Sequence, residues 1–214
     1  KISAAVLDPV LTVGLPANLT AWTGVDALTH ALEAYIVPDF HPLCDGAAIE
    51  ALKLINKYLV TSVEEPENLE ARGGMLVGSC LAGISFLKGL GFVHAISHMV
   101  GAEFDTQHGL TNAIVLPVVL RYNLPSLDEK RRQMADALNI NDKTTDGFVG
   151  DIEATLNRLD IPKSLSSIGV PLDCASRVAE KAMFDSAAST NPVKGNSTDI
   201  KALIERSILE ARRL

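Results

Sequence analysis

The stretch Thr23-Gly24-Val25-Asp26-Ala27-Leu28-Thr29-His30-Ala31-Leu32-Glu33-Ala34-Tyr35 decides how the chain folds. Apolar residues recur at helical spacing between Leu28 and Ile36, which predicts an amphipathic helix over 26–36. Asp26 and His30 are four residues apart on that helix, so their Cβ atoms lie about 6 Å from each other on one face. A carboxylate and an imidazole at this separation can share one metal ion.

Helical patterns continue from this stretch almost to the end of the chain. Residues 1–20 are irregular, with at most one short strand over 4–7 and with Thr20 or Thr23 as candidate caps of the first helix. Further helices are predicted over 45–63, 66–87 (with Pro66 at its start), 92–104, 108–123 (kinked or ended near Pro117), 125–138, 145–159, 172–184 and 197–213. The sequence therefore predicts one all-α domain with a short extended N-terminal segment, and it does not support a parallel α/β sheet.

Composition argues against several classes of function. The chain has 214 residues, 47% of them apolar, and a formal net charge of −7. All of this net charge lies in the first 120 residues, which hold 12 acidic and 5 basic side chains. An acidic chain without a basic run binds phosphate backbones poorly, so no nucleic-acid partner is expected.

Membrane insertion and disulfide bonding are not expected either. Glycines and two histidines interrupt the apolar window 73–102, which we interpret as a buried pair of core helices. No basic region followed by an apolar stretch opens the chain, which favours a cytoplasmic protein. The first residue is Lys1 rather than Met, so an upstream start or a cut is expected. Cys44, Cys80 and Cys174 are odd in number and widely spaced, as expected of buried reduced thiols.

Four of the five histidines fall into two clusters. His30 follows Asp26 by four residues, and His94 and His98 form a second pair at the same spacing, followed by His108. One such pair alone is more often a hydrogen-bonded surface pair or a satisfied core histidine. Here two pairs and a further histidine lie in the most apolar part of the chain, where burying them costs several kcal/mol unless they are paired or coordinated. The pattern predicts a metal site, and its nitrogen-rich donors suit Zn(II), Fe(II), Ni(II) or Co(II).

Two long segments carry a resemblance to a known family. The stretch 23–35 resembles the first signature of the iron-containing (group III) alcohol dehydrogenases. Gly89-Leu90-Gly91-Phe92-Val93-His94-Ala95-Ile96-Ser97-His98-Met99-Val100-Gly101-Ala102, continuing through His108-Gly109-Leu110-Thr111-Asn112-Ala113-Ile114-Val115-Leu116-Pro117, resembles the second. Leu7-Asp8-Pro9, Leu15-Pro16 and Thr190-Asn191-Pro192 also fit, so the resemblance covers essentially the whole chain.

The resemblance implies a two-domain enzyme of which this chain is one part. It is similar to the helical C-terminal domain of the iron-containing alcohol dehydrogenase and dehydroquinate synthase-like architecture. Residues 1–20 then form a connecting segment from a missing N-terminal nucleotide-binding domain, and 21–214 form the all-α metal-binding catalytic domain. No Gly-rich phosphate loop follows a strand in this sequence, so the isolated chain is expected to be inactive.

The resemblance also implies roles for individual residues. The ligands of Fe(II), with Zn possible, would be Asp26, His30, His94 and His108. His98 would not be a ligand but would lie beside the nicotinamide of NAD or NADP and the substrate, as a catalytic proton relay. The implied reaction interconverts an alcohol and an aldehyde or ketone, with the metal as Lewis acid. The partners would be that small-molecule substrate and, in the full-length protein, further copies in a homo-oligomer.

Two other functions stay open at this point. The first is a metal- and NAD-dependent lyase or polyol dehydrogenase of the dehydroquinate synthase and glycerol dehydrogenase branch, whose ligand sets differ. The second is a non-catalytic helical module that keeps the metal site as structure. Two further side chains are candidates near the site: Glu33 as a group that orients His30, and Lys88 as a residue that approaches the active cleft.

Overall fold

The computed structural model describes residues 4–209, and this part of the chain contains helices and no strand. Its α-helices are α1 (Ala17–Ile36), α2 (Pro42–Glu64), α3 (Leu69–Ser85), α4 (Phe92–Phe104), α5 (His108–Asn123), α6 (Asp128–Ala137), α7 (Thr145–Arg158), α8 (Ala175–Ala182), α9 (Ser186–Ser189) and α10 (Ser197–Leu209). The prediction of an all-α fold is confirmed, and the short strand over 4–7 does not form.

Capping residues explain where the first helices begin. Asp8 accepts a hydrogen bond from the Val10 amide at 3.0 Å and starts a 3-10 turn over Pro9–Thr12. Helix α1 begins at Ala17, before the predicted caps. The prediction that Pro66 starts α3 is wrong, because Asn68 caps that helix by accepting from the Ala71 amide at 3.0 Å. Asparagine is among the strongest N-cap residues, which outweighs the tolerance of proline in a first turn.

Helix α5 is the centre of the molecule. It packs against α1, α4, α7 and α10 and is buried along most of its length. The helix continues through Pro117 to Asn123, so the chain does not end the helix there. Proline removes one backbone hydrogen bond, but tertiary packing on all sides of α5 offsets that loss. Helices α2 and α3 cover α1 on one side of this centre, and α8 and α10 cover α4 and α5 on the other.

Helix α3 differs from the predicted core helix because it lies at the edge of the fold. It packs on α1 and α2, while Val77, Cys80 and Ile84 on its outer face are exposed. The prediction of a buried thiol is therefore wrong for Cys80, although Cys44 and Cys174 are buried. Among the described residues no single helix is long and apolar enough to cross a membrane. The helical segments 69–88 and 92–104 together are long and apolar enough by length and composition alone, but the chain bends by 102° between them.

Lys88 has a structural role at the end of α1. Its side chain is buried, pairs with Asp45 and lies 3.4 Å from the Tyr35 carbonyl oxygen. Lys130 donates to the same carbonyl at 2.6 Å. These two lysines stabilise the C-terminal end of α1, where backbone carbonyls lack partners within the helix. The contacts of Lys88 are thus with Asp45 and the end of α1.

Candidate metal centre

The structure brings Asp26, His30, His94 and His108 together, with one potential ligand atom from each within 4.8 Å of all the others. Asp26 Oδ1 lies 3.4 Å from His108 Nε2 and 3.7 Å from His94 Nε2. Asp26 Oδ2 lies 3.9 Å from His30 Nδ1. Ligand atoms about 2.1 Å from a tetrahedral metal lie about 3.4 Å from one another, so this separation suits a single ion.

Helix α1 contributes two of the four groups from adjacent turns. The i, i+4 spacing places Asp26 and His30 on one face, as the sequence predicts. The imidazole of His30 stacks on that of His94 at 4.6 Å between ring centroids and contacts the Phe86 ring at 5.0 Å. Ring packing on both sides holds His30 in place. His41, by contrast, lies outside the cluster and accepts a hydrogen bond from the Cys44 amide at 3.3 Å.

A tight turn and a close helix contact place the other two histidines. Asp105 follows the last residue of helix α4 as its C-cap, and its φ of 54° lets the chain reverse before α5 begins at His108. The next residue, Gly109, lies directly against α1. A Cβ atom there would sit 2.4 Å from the Trp22 carbonyl oxygen and 3.1 Å from Asp26 Cβ. Only glycine permits this approach, which brings His108 next to Asp26.

Glu33 organises the start of α4. Its buried carboxylate accepts hydrogen bonds from the Gly91 amide at 3.1 Å and the Val93 amide at 2.8 Å. The same group lies 2.7 Å from His94 Nδ1. A carboxylate accepts there, so Nδ1 carries a proton, and in the neutral ring that a metal requires Nε2 is the free nitrogen, facing Asp26 and His108. The sequence singled out Glu33 as a partner of His30; the structure shows that it orients His94 instead.

The four groups shift one another's pKa values. Burial lowers the pKa of His30 to about 4. Burial also favours neutral His94, but hydrogen bonds to the Asp26 and Glu33 carboxylates prevail and raise its pKa to about 9. Burial would raise the pKa of Asp26, yet the hydrogen bond to His94 and the nearby imidazoles lower it. The cluster therefore holds the Asp26 carboxylate as an anion, the form in which it binds cations.

The hydrogen-bonding groups around Asn112 indicate which kind of ligand fits at the centre of the four-residue cluster. Asn112 Nδ2 lies 2.6 Å from Asp26 Oδ1, 3.0 Å from His108 Nε2 and 3.2 Å from His94 Nε2. An amide nitrogen has two hydrogens, so once His94 is neutral it cannot satisfy these three acceptors at once. Asn112 Oδ1 is buried without a hydrogen-bond partner. With His94 neutral, the pocket therefore has more lone pairs than donors, which is the chemistry that a cation satisfies.

His98 lies beside the cluster but is not one of its four groups. Its Nδ1 is 2.9 Å from Asp185 Oδ2, and its half-buried ring stacks on His108 at 5.4 Å. The sequence did not single out Asp185 or Asn112. Asn112 is four residues from His108 on one helix, a signal that was available, whereas Asp185 is 87 residues from His98 and no local pattern joins them.

Comparisons with known proteins identify the family of the chain. The family model of the Fe-containing alcohol dehydrogenase family, C-terminal, matches residues 20–208. The chain is 41% identical to a 1,3-propanediol dehydrogenase of Klebsiella pneumoniae over 212 residues, 96% of this chain and 55% of the relative. The chain belongs to the iron-containing alcohol dehydrogenase family.

Other relatives agree in both sequence and structure. An NAD-dependent methanol dehydrogenase of Bacillus methanolicus is 36% identical over 96% of this chain and 56% of its own length. A crystal structure of 1,3-propanediol oxidoreductase superposes with a TM-score of 0.90 at 40% identity, over 94% of this chain and 55% of that one. The chain thus spans about half the length of the relatives that it matches.

Proposed function

We propose that Asp26, His30, His94 and His108 bind one divalent metal ion, and that the centre serves an NAD(P)-dependent alcohol dehydrogenase in the complete protein. The observation that carries the proposal is the convergence of four ligand atoms within 4.8 Å in a family of oxidoreductases. The family description supports Fe(II), with Zn as the alternative. The methanol dehydrogenase relative supports NAD as the cofactor.

The chain's own residues then have distinct tasks. When bound, the metal supplies Lewis acidity toward an alcohol or carbonyl oxygen, and NAD(P) supplies the hydride acceptor or donor. Asp26 and the three histidines hold the ion, and Glu33 keeps Nε2 of His94 free for it. His98 holds and moves the proton of the substrate, with Nδ1 fixed by Asp185 so that Nε2 is the exchanging nitrogen.

Metal binding is tested on the chain itself. Cobalt(II) titration should give one ion per chain and visible absorption bands of a low-coordinate site. His108→Ala and Asp26→Asn should each weaken cobalt binding by at least tenfold, whereas His41→Ala, outside the cluster, should not. Binding that is unchanged in both cluster variants would place the metal elsewhere.

Catalysis is tested on the full-length polypeptide that contains this chain. Reduction of NAD or NADP by a short alcohol should disappear after chelation and return when Fe(II) or Zn(II) is added. Metal binding without alcohol-dependent reduction of either nucleotide would favour a non-catalytic module. Nucleotide binding by a separate N-terminal domain and assembly into a homo-oligomer remain predictions for that polypeptide, to be measured by titration and light scattering.

A further inference from the structure

A second cavity, with a largely apolar lining and one charged side chain, lies on another face of α1. It has a volume of about 150 Å³ and none of the four candidate ligands lines it. The 3-10 turn before α1 covers it, and α2 and α3 form its other walls. Its lining residues are Thr12, Leu15, Thr20, Thr23, Gly24, Ala27, Ser62, Arg72, Met75, Leu76 and Ser79.

Arg72 is the charged side chain of this cavity, and it is 3% exposed. Its Nε donates to the Pro66 carbonyl oxygen, but its buried Nη2 has no hydrogen-bond partner. No ion pair joins Arg72 to a carboxylate within the part of the chain that the structure describes. A guanidinium stays charged in proteins, so this positive charge lies in the interior of the described chain without a carboxylate partner.

The other lining groups do not supply the missing charge. Every lining residue except Arg72 is neutral. Several hydroxyl groups also donate hydrogen bonds to nearby backbone carbonyl oxygens: Thr12 to Pro9, Thr23 to Leu19 and Ser62 to Leu59. A water molecule could accept from Nη2, but it would leave the charge unbalanced. An anion meets both needs at once.

We propose that this cavity is a binding site for a small monovalent anion, a halide ion or the carboxylate group of a small molecule, held by the Arg72 guanidinium. A site holds a water when about 10–15 Å³ is open to the centre of the molecule, so the roughly 150 Å³ open here admits chloride or formate. Gluconate, a larger anion with five hydroxyl groups, serves as the comparison anion. Neither the proposed dehydrogenase activity nor its metal site requires this anion.

Thermal unfolding at constant ionic strength tests the site, with chloride or formate replacing gluconate. The chain is first treated with a chelator, so that anions at the metal centre do not contribute. At about ten times the dissociation constant, the unfolding midpoint should rise by roughly 3 to 6 °C with either small anion. A rise with one of the two alone supports the site and assigns its ligand.

Two variants test whether Arg72 is responsible for the anion-dependent rise of the unfolding midpoint. Arg72→Met keeps the apolar stem and should lose the anion-dependent rise, whatever its own midpoint. Arg132→Met removes an exposed arginine of α6 and should keep the full rise. An equal rise in Arg72→Met and the parent chain would overturn the proposal, as would the absence of any difference between chloride, formate and gluconate.

A second measurement keeps the test independent of unfolding. The folded chain should broaden the chlorine-35 resonance of free chloride, and formate should reverse the broadening. Thr23→Trp leaves Arg72 in place and puts a large side chain at the exposed edge of the cavity, so it should abolish the broadening. Broadening that Thr23→Trp leaves intact and formate does not reverse would overturn the assignment.

Discussion

Glu33 Oε2 lies 2.7 Å from Nδ1 of His94, and the same carboxylate accepts from the backbone amides that open α4. One buried group on α1 therefore caps one helix and fixes the tautomer of a candidate metal ligand. Because both partners are 1% exposed, water cannot replace either contact. The position of α4 and the chemistry of the metal centre are thus set by a single side chain.

Glu33→Gln should weaken both the capping of α4 and the binding of a metal ion. A glutamine offers one acceptor oxygen and turns an N–H toward groups that also donate, so buried donors lose their partners. We expect about 1–3 kcal/mol less stability in urea unfolding and about 10- to 100-fold weaker metal binding in a chelator competition. Glu50→Gln, on the exposed face of α2, should change stability by less than about 0.5 kcal/mol and leave metal affinity unchanged. Equal effects of the two substitutions would remove Glu33 from the metal centre.

His98→Ala separates the proton relay from metal binding. The variant should keep about one metal ion per chain by elemental analysis, since His98 is outside the four-residue cluster. In the full-length polypeptide it should lower turnover by about 10²- to 10⁴-fold, the range typical of general acid–base catalysis. Asp185→Asn should lower turnover as well, because Nδ1 of His98 loses its carboxylate. Loss of metal from His98→Ala would show that the division of roles is wrong.

Local spacing was sufficient to predict some of these features. The bounds 92–104 and 108–123 agree with α4 and α5, because glycines and a short polar turn flank two strongly apolar runs. The pairing of Asp26 with His30 could also be predicted from the sequence, since i, i+4 geometry is a property of one helix.

Contacts between distant segments could not be predicted from local spacing. His94 and His98 are equivalent by spacing, and only the family resemblance separated them before the structure did. What distinguishes them physically is Glu33, 61 residues from His94, and Asp185, 87 residues from His98. The exposure of Cys80 was missed for a related reason: small apolar residues in α3 are typical of a core helix, but nothing in the described chain covers its outer face.

Thiol reactivity should follow burial. Cys80 is exposed, whereas Cys44 and Cys174 are buried, and burial raises the pKa of the Cys174 thiol. Since the thiolate is the reactive form, a thiol-specific reagent should modify one cysteine per folded chain quickly and all three after denaturation. Cys80→Ser should abolish the fast phase and leave the other two. Two fast thiols in the folded chain would contradict the burial of Cys44 or Cys174.

Stability of the metal-free chain should depend on pH in opposite ways through two histidines. The pKa of His94 is raised from its ordinary value of 6.5 to about 9, so its contribution is complete below pH 6.5 and is lost as the pH rises through 9. At 1.36 kcal/mol per pKa unit this contribution is at most roughly 3 kcal/mol. The pKa of His30 is lowered to about 4, so the unfolded chain takes up its proton first and stability falls as the pH drops below 6.5.

Urea unfolding of the chelated chain between pH 4 and 10 should therefore show a maximum near pH 6.5. His94→Gln should flatten the alkaline side of the curve more than the acidic side. Metal binding requires a neutral His94, so at pH 7 it should release about one proton per ion, seen in calorimetry as a dependence of the measured heat on the buffer. Binding heats that are identical in buffers of different ionisation enthalpy would mean that His94 is already neutral, and that the Asp26 and Glu33 carboxylates do not hold a proton on it.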